Sequence, residues 1–150
     1  MLNLEFILSY IETTLLMLDV ILIQHVDSGI NLLEYRQEHT VMKTEHSDIF
    51  SGFMSAIQSI TEELNIGYVV LIATEGVKGH NCIIIPQNPI NVIMLVDQDD
   101  PIELWKQQGK EIAEKFLSSF GNSFDPNRVH QFKDFSLIIK EMCATHEYCD

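Results

Sequence analysis

Positive charge is what this chain has least of. Nine Lys and Arg stand against 22 Asp and Glu, a formal net charge of −13 with a pI near 4.7. A field of that sign repels phosphate backbones and anionic bilayers, so no nucleic acid is expected among its partners. Cysteine is scarce as well. Cys82, Cys143 and Cys149 are odd in number and lack the spacing of a disulfide framework, which points to a reducing, cytoplasmic setting. Long uncharged apolar runs are missing too. The first 23 residues are apolar but carry Glu5, Glu12 and Asp19, and no Lys or Arg precedes them as a secretory leader requires. The expectation is a protein with no integral membrane segment. Seven Gly and four Pro in 150 residues form no linker or repeat, and 46% hydrophobic content suits one domain with a substantial core.

Chemical motifs are also few. No Ser or Cys nucleophile comes with a base and an orienting acid, and no glycine-rich loop opens a helix after a strand, so no catalytic residue and no cofactor are expected. His25, within a strand, has nothing to mark it as a base. Gly76 to Gly79, "GVKG", has the form of a backbone-clamping GxxG loop, but it joins strands in an acidic protein and reads as a hairpin turn. "DQDDP" (Asp97 to Pro101) has Ile102 and Gln108 where a calcium loop needs Gly and Glu, so helix capping explains it better than a metal. Cys143, His146 and Cys149 are soft ligands that need a fourth, from His80 or Cys82, to hold zinc; ordinary buried or tail residues account for them more simply, and no metal is expected. No polar cluster inside the apolar pattern marks a ligand pocket.

What the chain does have is periodicity. Leu4, Ile7, Ile11, Leu15 and Leu18 recur at helical spacing, which predicts an amphipathic N-terminal helix over residues 1–18, ahead of one domain over 19–150. This stripe must dock on its own domain or on a neighbour. Val20 to Val26 and Ile30 to Arg36 flank Asp27-Ser28-Gly29, where Gly29 can take the positive φ of a tight turn, so they read as a hairpin. A central helix is predicted over Asp48 to Leu64, with Phe50, Phe53, Met54, Ile57 and Leu64 inward and Asn65 and Gly67 to stop it. That rotation turns Gly52, Ser55, Ala56 and Ser59 outward as a small-residue face on which two copies could pair. Gly67 to Thr74, Asn81 to Pro86 and Ile90 to Val96 read as a meander whose near-continuous apolar runs require helices on both faces. Asp100-Pro101 and Asp125-Pro126 each look like an N-cap followed by a first-turn proline. The first of these helices, to about Phe120, turns Ile102, Trp105, Ile112, Phe116 and Phe120 inward; the second, to about Met142, turns Phe132, Phe135 and Ile139 inward. The pattern is an α/β (α+β) sandwich.

Three stretches in that order, "DSGINLLEYR", "IFSGFMSAIQSITEEL" and "YVVLIAT…CIIIP…INVIMLV", resemble the longin-like proteins of archaea over roughly residues 20–142. Those proteins are similar to the longin domains of trafficking SNAREs, adaptor small chains and transport-particle subunits. The resemblance implies a profilin-like five-stranded, mostly antiparallel sheet with the first helix on one face and the last two on the other. It also implies a non-catalytic adaptor or scaffold that binds proteins, pairs as a homodimer or heterodimer, and works beside a small GTPase in vesicle trafficking or signalling. The related roadblock fold, as a GTPase regulator, is one alternative, and a small-molecule sensor domain is another.

Overall fold

A computed structural model describes residues 17–37, 40 and 42–146, with the backbone alone for 144–146. Five strands form one sheet: β1 (Leu18–His25), β2 (Asn31–Arg36), β3 (Leu71–Ala73), β4 (His80–Gln87) and β5 (Ile90–Asp97). Their order is β2-β1-β5-β4-β3 and each pairing is antiparallel. Among the described residues, three α-helices accompany them: α1 (Ser47–Glu63), α2 (Ile102–Phe120) and α3 (Phe135–His146). No helix among the described residues is long and apolar enough to cross a membrane.

The sheet is covered on both faces, as its unbroken apolar runs require. Ile21, Ile23, Ile83, Ile85, Val92 and Met94 meet α2 and α3 through Trp105, Ile112, Phe116, Phe135 and Ile139. Val20, Leu22, Cys82, Ile84 and Ile93 face α1, which contributes Met54 and part of Phe50. The α2 face is the thicker one. There Phe116 lies 5.3 Å from Phe132 and 5.2 Å from Phe135, centroid to centroid, in a cluster that Phe120 and Phe124 complete. Gly109 lets α2 settle close to β4 and β5: an added Cβ would fall 2.6 Å from Ile85 Cγ1 and 2.7 Å from Met94 Cε.

Most element ends follow the expected punctuation. Gly29 closes the β1–β2 turn at φ +71°, with its N–H on the His25 carbonyl at 2.9 Å. Gly76 to Gly79 is the β3–β4 hairpin turn. α1 ends in a left-handed Asn65 at φ +56°, and the Asn65 and Ile66 amides donate back to Glu62 and Thr61 in the Schellman pattern.

Several expectations need correction. Leu18, placed at the end of the N-terminal helix, opens β1 and is fully buried; Leu4, Ile7, Ile11 and Leu15 lie outside the described residues. A bulge between Leu18 and Val20 puts Leu18 on the same face as Ile21. β3 has three residues rather than the expected eight. Asp100 is not a cap of α2. It is buried, and its Oδ2 accepts from the Met17 amide and from Trp105 Nε1, both at 2.9 Å, so it ties the start of β1 to α2. Burial raises its carboxyl above the ordinary value, against the lowering by those two hydrogen bonds. Asp125 caps a turn instead of a helix, accepting from the Asn127 amide at 3.0 Å, so α3 starts ten residues later and Phe132 belongs to a single 3-10 turn.

Candidate protein-interaction surface

The rotation of α1 decides what it shows to solvent, and a polar seam sets that rotation. Ser47, Ser51, Ser55 and Gln58 fall on one flank at i, i+4, i+8 and i+11. Ser47 Oγ bonds Glu34 and accepts from Arg36 at 3.2 Å, while Ser51 Oγ bonds Asn31. Ser55 Oγ accepts from Gln24 Nε2 at 3.1 Å, and the Gln58 amide clasps both the N–H and the carbonyl of Val69, at 3.0 and 2.8 Å. With this seam fastened to the sheet, Met54 points inward at 1% exposure.

The opposite flank is left in water. Ile49, Phe53, Ala56, Ile60 and Leu64 recur at steps of four, three, four and four, and all five are exposed. Phe53 at 50% and Leu64 at 61% exposure overturn their expected inward placement. The reason is local: α1 has apolar residues around more than half its circumference, and the serine seam claims the inward position they would otherwise take. Gly52, Ala56 and Ser59 are exposed, and nothing lies within 4 Å of a Cβ built at Gly52. Ser55 is half-buried, its hydroxyl turned to Gln24.

The apolar surface extends past the helix. Ile66, Tyr68, Val70 and Leu71, on the link from α1 into β3, are all exposed. β3 ends the sheet and pairs with β4 alone among the described residues, so its outer edge keeps backbone donors and acceptors open. Exposed Glu62 and Glu63 border the stripe. An apolar helix face beside an open strand edge, rimmed by charge, is the form of a protein-binding surface. Periodicity missed Ile49, Ile60, Ile66 and Tyr68; the steps of four and three from Ile49 to Leu64 were the available signal.

The chemical candidates fall differently. His25 Nδ1 lies 2.7 Å from Ser28 Oγ, but it also accepts the Ser28 amide at 3.3 Å, which makes the pair a brace across the turn. Asp19, in the β1 bulge, pairs with His80 Nε2, and His80 Nδ1 bonds the Lys78 carbonyl at 2.6 Å, fastening β1 to the first residue of β4. Cys82 and Cys143 lie on opposite faces of the sheet, so they cannot share an ion. Cys143 is disulfide-bonded, which departs from the reading of all three cysteines outside any disulfide; Cys149 lies outside the described residues. No group of three His, Cys, Asp or Glu among the described residues is placed to hold a metal.

No family model and no curated protein matches the sequence. Among solved structures, Myxococcus xanthus MglB matches at 12% identity with a TM-score of 0.50, over 69% of this chain and 83% of its own. The fold is of the roadblock/longin type. At that identity the likeness carries the architecture: a five-stranded antiparallel sheet with helices on both faces.

Proposed function

We propose that this chain is a non-catalytic adaptor of the roadblock/longin type, which pairs through α1 and the open edge of β3 and works beside a small GTPase. The observation that carries this is the stripe from Ile49 to Leu64, apolar and exposed on a helix whose other flank is hydrogen-bonded to its own sheet. Such a stripe gains by burial against protein, at about 25 cal/mol per Å² of apolar surface removed from water. The small residues Gly52 and Ala56 beside it allow a second helix to approach closely. The GTPase part rests on the fold, because MglB is a GTPase-activating protein of the same architecture. Within that fold, the paired C-terminal helices α2 and α3 are what supports the archaeal longin-like reading over the plain roadblock one. Trafficking or signalling in the cytoplasm is the setting this reading implies, with an acidic surface suited to partners other than nucleic acid.

Sedimentation velocity on the full chain tests the pairing. A concentration-dependent dimer is expected, and Ala56→Arg or Phe53→Glu places like charges on both sides of a twofold contact, weakening association at least tenfold, or about 1.4 kcal/mol. A monomeric wild type, or variants that dimerise with unchanged affinity, removes this face from the proposal. Affinity capture from the source cells, with wild type against Phe53→Glu, is expected to recover a small GTPase.

A further inference from the structure

We propose that the cavity between the β1–β2 turn and the polar flank of α1 binds a small organic cation, an amine or a guanidinium. This goes beyond the pairing stripe from Ile49 to Leu64, which lies on the other flank of the helix, with Ser59 and Glu62 on the border between the two. Along the α1 face of the sheet, β1 carries Val20 and Leu22 and then Gln24, while β5 carries Leu95 and Ile93 and then Asn91. Gln24 and Asn91 are cross-strand partners, only 3% and 8% exposed, where two more apolar residues would have continued the core. Gln24 gives its Nε2 to the Ser51 carbonyl and to Ser55 Oγ, at 3.3 and 3.1 Å, which leaves its amide oxygen without a partner among the described residues. The Asn91 side chain has no hydrogen-bond partner among the described residues. The open atoms of these two amides reach the cavity that both residues line, so a ligand bringing N–H donors can replace water at their oxygens.

Both amides line a cavity of about 410 Å³, together with Ser55, Ser59, Asp27 and Glu62. That is within the span of small-molecule sites, roughly 300–1,000 Å³, and far more than one water fills. The wall carries two carboxylates and neutral amides and hydroxyls, with no Lys, Arg or His among its residues. It therefore repels anions and favours a ligand that brings positive charge and N–H donors. Two carboxylates without a third acidic, His or Cys ligand do not make a metal site, and side-chain amides suit the directional donors of an amine or guanidinium.

The test is a titration of the full ¹⁵N-labelled chain at physiological salt with putrescine and with methylguanidinium, using acetate and glycerol as anionic and neutral controls. Saturable, one-site shifts of the Gln24 and Asn91 side-chain amide signals are expected with a cation and not with the controls. Asn91→Leu, read at Gln24, should weaken binding at least tenfold. Ser59→Lys, on the exposed rim, should do the same by placing a cation at the mouth, and it keeps the test valid if the core variant misfolds. The proposal is overturned by no shift at the two amides, by equal saturation with acetate, or by shifts spread over the acidic surface that Ser59→Lys leaves unchanged.

Discussion

Replacing glycine by alanine inside a helix ordinarily stabilises it, yet the same change is expected to act in opposite directions in α1 and α2. Gly in a helix interior costs roughly 1 kcal/mol relative to Ala, through backbone entropy. At Gly52 a Cβ meets nothing within 4 Å, so Gly52→Ala should gain about 0.5–1 kcal/mol. At Gly109 the same Cβ falls 2.6 Å from Ile85 Cγ1 and 2.7 Å from Met94 Cε. The Met94 methyl can swing aside, but Ile85 Cγ1 is one bond from a β-strand Cβ and moves only with the whole side chain or the strand. Overpacking of that kind costs about 1–3 kcal/mol, which cancels or exceeds the helical gain. The two variants should therefore differ by about 1–3 kcal/mol, and Gly109→Val, with more volume and less helical preference, should fall lower still. Urea unfolding measures this directly, since at a slope of about 1–3 kcal/mol/M the two midpoints separate visibly. Several protein concentrations separate any contribution of pairing through α1. If Gly109→Ala is stabilised as much as Gly52→Ala, α2 does not sit against β4 and β5 as closely as described.

Three further outcomes follow from particular contacts. Asp100→Asn should keep its stability near neutral pH, because one amide oxygen can serve both the Met17 and Trp105 donors, while Asp100→Ala should lose about 2 kcal/mol for two hydrogen bonds. Burial raises the Asp100 carboxyl in the folded chain, so its contribution to stability falls as pH rises through that raised value; urea midpoints across the acid range should show wild type losing ground to Asp100→Asn on going up in pH. The Cys82 thiol, buried on the α1 face and pushed up to about 12, should resist a disulfide reagent at neutral pH in the native chain and react once the chain unfolds; native reactivity like that of a free thiol refutes its burial. Removing residues 1–16, which leaves Leu18 in β1, should expose surface that binds a hydrophobic dye, and an unchanged, equally stable truncation shows that the Leu4 to Leu15 stripe docks nowhere on the domain.

The strands and the two-sided burial of the sheet were legible because they rest on local signals: turn glycines, β-branched runs and the absence of polar alternation. α2 was legible for the same reason, its stripe from Trp105 to Phe116 being its one apolar face. α1 was not. Periodicity finds an apolar stripe but cannot say whether the chain's own sheet or another molecule covers it, and here Phe53 and Leu64 sit on the outer stripe while four polar side chains hold the inner one. Asp125-Pro126 has the composition of a helix start, but Asx-type capping serves turns equally well, and only tertiary packing of Phe132 and Phe135 fixes where α3 begins. Gln24 and Asn91 were overlooked because each is a single polar residue in an apolar run. Their shared position becomes visible only once β1 and β5 are in register.

Asp100 holds the sole tryptophan of the chain and the backbone of Met17 with one oxygen atom. Indole emission responds to the polarity and hydrogen bonding of its Nε1, so Trp105 is an optical gauge of the junction where the N-terminal segment enters the sheet. A chain that repositions this segment when it meets another molecule must disturb the carboxylate, and with it the colour and lifetime of the fluorescence. Stopped-flow mixing can then time that movement in the unlabelled protein, separately from association itself, which a probe placed on the outer face of α1 would report.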